Sequence, residues 1–121
     1  MYYIYMLRCR DDSLYSGIAP DIAKRMKVHF EGGKTGSKYV RSKGASKLEV
    51  FWECDDKSQA LKLEYRLKRL TKEKKESLAA GIIALEDVFN EKLDCSRYRA
   101  GSIDIIELKE YTRGRELWEE K

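Results

Sequence analysis

The chain has 121 residues, 42% of them hydrophobic, and 25 Lys and Arg against 21 Asp and Glu give a net charge of +4. That length supports one domain with a single modest core, and no apolar run is long enough to span a bilayer. Met1 to Met6 lacks a charged leader and a small-residue cleavage site, so no secretory signal is read and a cytoplasmic location is expected. Cys9, Cys54 and Cys95 are far apart and without C-x-x-C spacing, which suggests neither a disulfide framework nor a zinc site and predicts reduced, mostly buried thiols.

Tyr2 to Arg8 is rich in aromatic and long apolar residues and reads as a strand, as does the shorter Leu14 to Ile18. Arg10-Asp11-Asp12-Ser13 between them favours a turn, so the two strands are expected to pair as an antiparallel hairpin. Alternation puts Tyr3, Tyr5 and Leu7 on one face, as it does Tyr15 and Gly17. Pro20-Asp21 then breaks the strand and offers an N-cap carboxylate for a helix from Ile22 to Phe30, with Ile22, Met26 and Phe30 along its apolar stripe. Arg25 and His29 fall side by side at the border of that stripe, where side chains emerge at the edge of a core.

From Lys24 to Lys47 eight basic residues are opposed only by Glu31. Such a stretch suits a polyanion, because each neutralised phosphate releases a counterion. Lys24, Lys34, Lys38, Tyr39, Arg41 and Lys43 are the candidate nucleic-acid contacts. Gly32 to Lys38 reads as a basic loop; it follows a helix and lacks G-x-x-x-x-G-K-[ST], which excludes a nucleotide-binding loop. Residues 1–80 carry 18 Lys and Arg against 11 Asp and Glu, and residues 81–121 carry 7 against 10, so the charge is concentrated in the first part.

Lys47 to Glu53 reads as a third strand joining the hairpin's sheet. Asp56, with Gln59 three residues on, opens a helix to Leu70 whose stripe is Ala60, Leu63, Leu67 and Leu70. Leu61 and Tyr65 form a second apolar strip, and Glu64 projects between the two, where a carboxylate is costly unless paired with a cation or metal. Lys62, Arg66 and Arg69 point elsewhere, toward solvent or phosphate. Thr71 caps a short helix from Lys72 to about Ala80, with Gly81 as its stop. Ile82 to Leu93 is compatible with a helix that places Ile82, Leu85, Val88 and Phe89 on one face, and Ser102 to Leu108 with either a strand or the start of a last helix. Tyr98, Tyr111, Trp118 and the Ile103-Ile105-Ile106 cluster are too apolar for a disordered tail and predict packing on the core or a partner.

Tyr3-Ile4-Tyr5, Tyr15-Ser16-Gly17, Arg25, His29 and Glu64 together resemble the GIY-YIG nucleases, in particular small single-domain bacterial members, over roughly residues 1 to 78. Tyr3 stands where that family has Gly, and the downstream Asn of some members has no counterpart near Glu76. The resemblance implies an α/β (α+β) fold, a three-stranded, mainly antiparallel sheet flanked by helices over residues 1–80, with 81–121 as a C-terminal extension. It also implies metal-dependent hydrolysis of nucleic-acid phosphodiesters, DNA above all, with one Mg²⁺ or Mn²⁺ ion on Glu64. In that scheme Tyr15 is the general base, Tyr5 positions water or phosphate, Arg25 meets the phosphate, and His29 holds a proton, orients Tyr15 or touches the phosphate. Two other expectations stand beside it: a DNA-binding module on the same scaffold that cuts weakly or not at all, and a protein-interaction module whose acidic, aromatic tail docks on a partner or on its own basic face.

Overall fold

The computed structural model describes residues 1–31 and 37–101. The element order is β1 (Tyr2–Cys9), β2 (Leu14–Ala19), α1 (Ile22–Glu31), α2 (Lys38–Lys43), β3 (Ala45–Cys54), α3 (Lys57–Lys68), α4 (Lys72–Ala79), α5 (Leu85–Phe89), a 3₁₀ turn at Cys95–Arg97 and β4 (Arg99–Ala100). The strands form one antiparallel sheet in the order β2-β1-β3-β4. It has four strands where three were expected, the fourth being a two-residue edge strand too short to leave a pattern in the sequence.

The hairpin forms as the alternation predicts, with Tyr5 opposite Gly17 and Leu7 opposite Tyr15. β1 is the central strand, and its two faces feed separate cores. Ile4 and Met6 pack with Trp52 and Cys54 against Ala60, Leu63 and Leu67 of α3, Leu78 of α4 and Leu85 and Phe89 of α5. Tyr5, Leu7 and Cys9 pack with Leu48 and Phe51 against Ile22, Met26 and Phe30 of α1 and Val40 of α2. All three cysteines are free and buried.

Local chemistry sets the helix ends. The carboxylate of Asp21 accepts from the Lys24 amide at 3.1 Å, that of Asp56 from the Gln59 amide at 2.9 Å, and the Thr71 hydroxyl from the Lys74 amide at 3.3 Å, each satisfying an amide that the first helical turn leaves open. α4 stops before Gly81, whose φ of 75° is left-handed and free of strain only for a residue without a side chain.

The helix expected over Ile82 to Leu93 is much shorter. α5 spans Leu85–Phe89 alone, and Ile82 is 76% exposed rather than on the buried face. The cause is local: the Ala84 amide is taken by the Asp87 carboxylate at 2.8 Å, which starts the helix only after Ile82 and Ile83 have passed. Leu85, Phe89, Cys95 and Tyr98 nevertheless join the core of the sheet's α3 face, and the Tyr98 hydroxyl donates to the Gln59 carbonyl at 2.6 Å. The expectations for Ser102 to Leu108, the isoleucine cluster, Tyr111 and Trp118 lie outside the described residues.

A further tie had no trace in the sequence pattern. A register shift between Met6 and Leu7 leaves Glu49 as an extra residue on β3, and its carboxylate accepts from Arg8 Nη2 at 2.8 Å. The same guanidinium grips Glu76 of α4 in a two-pronged pair at 2.6 and 2.7 Å. Arg8 thus ties α4 to the sheet.

Candidate active site

Tyr5, Tyr15, Arg25 and His29 converge on the α1 face of the hairpin. Tyr5 is fully buried and His29 is 4% exposed, and their side chains meet with Tyr5 Oη 2.8 Å from His29 Nε2. Arg25 Nε approaches the same oxygen at 3.5 Å. The arginine has only hydrogens to offer, so the Tyr5 oxygen accepts from it. The other ring nitrogen of His29, Nδ1, finds no partner among the described residues although it is buried. His29 sits deeper than the border position expected for it, because α1 packs its last turn directly on the tyrosines.

Burial fixes the protonation of this pair. It pushes the Tyr5 phenol up to about 12, with the bond from Arg25 working against the rise. It pulls His29 down to about 4, and the charge of Arg25 adds to the fall. At neutral pH both groups are uncharged.

Tyr15 is half-buried on the edge strand β2, and its ring lies 6.2 Å from that of Tyr5 and 6.0 Å from that of His29. Tyr39 of α2 stacks on its other neighbourhood at 5.8 Å with an interplanar angle of 19°, and the Tyr39 hydroxyl donates to Ser13 Oγ at 2.7 Å. Tyr39 was expected only as a nucleic-acid contact. Its part in holding Tyr15 escaped the sequence because α2 is six residues long with one buried residue, too little for a periodic signal.

Gly17 explains the third position of Tyr15-Ser16-Gly17. A Cβ there would stand 2.5 Å from Tyr5 Oη and 2.9 Å from Tyr15 Cε2, so the close approach of the two phenols requires a residue with no side chain.

Glu64 comes from a separate helix. It lies on α3, whose apolar stripe covers the opposite face of the sheet, and its negative charge adds to the rise of the Tyr5 phenol. Its side chain is 18% exposed and pairs with Lys68 at 3.5 Å. Of the basic candidates, Lys24, Lys38 and Arg41 are exposed, Lys43 pairs with Asp11 at 3.5 Å, and Lys34 lies outside the described residues. Tyr3, in place of the family's Gly, is half-buried and meets Phe51 edge-on at 6.0 Å.

A sheet bearing paired phenols, with an Arg and a His delivered from the next helix, defines a class, and comparison with known proteins agrees. The family model described as the GIY-YIG catalytic domain matches residues 1–77, and the chain belongs to the GIY-YIG family of nuclease domains. Its relatives include a UPF0213 protein of Vibrio cholerae, 41% identical over 90 residues that make up 72% of this chain and 85% of that one. A UPF0213 protein of Citrobacter koseri is 46% identical over 77 residues, covering 64% of this chain and 75% of the relative. Among solved structures, the solution NMR structure of the UPF0213 protein BH0048 from Bacillus halodurans is 35% identical, covers 78% of this chain and 98% of that one, and has a TM-score of 0.44.

Proposed function

We propose that the chain is an endonuclease that hydrolyses nucleic-acid phosphodiester bonds, with DNA as the substrate and one Mg²⁺ or Mn²⁺ ion carried by Glu64. The observation that supports this most is the buried Tyr5–His29 pair touched by Arg25, with Tyr15 packed against it at the open edge of the sheet.

The donor set suits such an ion. Among the described residues no three His, Cys, Asp or Glu gather into a cage. A single hard carboxylate is the type of anchor on which Mg²⁺ keeps its waters and shares substrate phosphate oxygens. The Glu64–Lys68 pair is partly solvated and of the kind worth at most about 1 kcal/mol, so it is readily exchanged. When bound, the ion supplies positive charge to stabilise the leaving oxygen.

The chain's own groups divide the remaining work. Arg25 is half-buried and matches two phosphate oxygens with its planar fork, stabilising the charge that gathers on them. Tyr15 is the phenol of the pair that solvent reaches, and as phenolate it takes the proton of the water whose oxygen attacks phosphorus. Tyr5 stays protonated and helps orient the phosphate through Arg25, with neutral His29 hydrogen-bonded to its hydroxyl.

The test is cleavage by the purified chain of a panel of linear, nicked and branched DNA with Mg²⁺ or Mn²⁺. Glu64→Ala and Tyr15→Phe should abolish cutting with the fold intact, and undiminished cutting by either overturns the assignment. Salt-sensitive binding to the whole panel without any cutting favours the binding-module reading instead.

A further inference from the structure

On the outer side of α3, away from the paired tyrosines, an open groove of about 820 Å³ runs between the helix and residues 92–97. Its walls include Leu61, Lys62, Tyr65, Arg66, Lys92 and Arg97, and the one carboxylate among the described lining residues, Asp94, is already paired with Arg97 at 3.5 Å. Leu61 and Tyr65 are 45% and 53% exposed, unusual for large apolar side chains on a helix whose opposite stripe is fully buried. The sequence reading assigned these two to a second apolar strip, yet no part of the described core covers them.

Tyr65 is held rather than loose. The Arg69 guanidinium lies 4.3 Å from its ring centroid and that of Arg66 lies 5.8 Å away. An exposed aromatic ring fixed among cations in an open groove combines the two elements that bind unpaired nucleotides: a platform for a base and positive charge for the backbone. Glu64 immediately precedes Tyr65, so the two side chains leave the helix about 100° apart.

We propose that this groove binds an unpaired nucleotide segment of the substrate, with a base stacked on Tyr65 and phosphates on Lys62, Arg66 and Lys92. The substrate class that follows is a nucleic acid with a single-stranded stretch beside the scissile bond. The proposal rests on the nuclease reading for the nature of its ligand, but binding in the groove requires no turnover, and the two are separable.

The experiment measures fluorescence anisotropy of the full chain in EDTA with a blunt duplex and with the same duplex carrying an oligothymidylate overhang. The wild type should prefer the overhang. Tyr65→Ala should weaken overhang binding by about tenfold and blunt binding by less than about twofold, whereas Tyr65→Phe, which keeps the ring, should leave both within about twofold. Lys62→Gln with Arg66→Gln should flatten the salt dependence of overhang binding by about 1.4 in log–log slope, the value for two single-strand phosphates. All the positions are on the outer helix face, and unchanged circular dichroism and melting would confirm folding of each variant.

Overhang binding by Tyr65→Ala equal to the wild type overturns the proposal, as does an equal loss on both duplexes, which would make the surface a general phosphate contact. A dimer in sedimentation that Lys62→Glu with Arg66→Glu breaks, with oligonucleotide binding unchanged, also overturns it and gives the groove to a second copy. A chain that passes the Tyr65 test but never cuts DNA keeps the groove and loses the nuclease reading, and a chain that cuts but ignores Tyr65 does the reverse.

Discussion

Gly17 leaves room for Tyr5: the phenol oxygen of Tyr5 occupies the space a Cβ at position 17 would need, 2.5 Å away. Gly17→Ala must push the phenol off His29 or spread β1 from β2. We expect a cost of about 1–3 kcal/mol, the usual range for overfilling a packed core. Cleavage should fall at least tenfold because Tyr5 loses its bond to His29, and a variant with wild-type melting and cleavage would show that the two tyrosines are not held by this contact.

Protonation of His29 should be visible as acid sensitivity. Its folded value of about 4 lies below its ordinary 6.5, so below pH 6.5 the unfolded chain binds the proton that the folded chain refuses. The stability from keeping His29 neutral is fully present above pH 6.5 and is lost as pH falls toward 4, in total about 3 kcal/mol. His29→Gln retains a hydrogen-bonding group and does not titrate. Urea unfolding between pH 7 and 4.5 should therefore fall more steeply for the wild type than for His29→Gln, and parallel curves would count against a buried neutral imidazole.

Arg8 offers a test of the frame alone, away from the tyrosine site. Removing its guanidinium leaves Glu49, 15% exposed, with the exposed Lys47 at 3.2 Å as its remaining cation and frees α4 from the sheet. Arg8→Ala should cost about 1.5–3 kcal/mol, as for hydrogen bonds to charged groups. Arg8→Lys should recover only part of this, since a point charge cannot span Glu49 and both oxygens of Glu76. An unchanged urea midpoint in Arg8→Ala would mean that α4 is held by Leu78 alone.

Tyr39 is expected to act through Tyr15. Tyr39→Phe loses the Ser13 hydrogen bond but keeps the stack, and Tyr39→Ala loses both. Both variants should fold, because Tyr39 is 41% exposed. If the stack positions Tyr15, Tyr39→Ala lowers kcat about tenfold with KM little changed, and Tyr39→Phe stays near wild type. A rise in KM alone would return Tyr39 to the role of a nucleic-acid contact.

The elements that the sequence disclosed were those whose signals are local. Alternation placed Tyr3, Tyr5 and Leu7 on one face, four-residue spacing placed Ile22, Met26 and Phe30 in a core, and Asp21, Asp56 and Thr71 marked helix starts through their own side-chain chemistry. The grouping of Tyr5, Tyr15, Arg25 and His29 was legible because one hairpin and the helix after it carry all four. What stayed hidden depends on distant partners. The grip of Arg8 on Glu76 joins positions 68 apart, and the depth of His29 is set by how α1 settles on the sheet. The short α2 and the two-residue β4 exist through their packing and pairing, with no pattern of their own.

Because β1 lies between β2 and β3, the hairpin that bears both phenols is only half of their support. Tyr5 pairs with Gly17 on one side and with Phe51 on the other, and Phe51 is made 46 residues after it. During synthesis, then, the tyrosines, the arginine and the histidine all emerge early but wait for β3 before their sheet is complete. The nascent chain should assemble its tyrosine cluster late and at once, when the strand around Phe51 leaves the ribosome and closes a loop of long sequence separation.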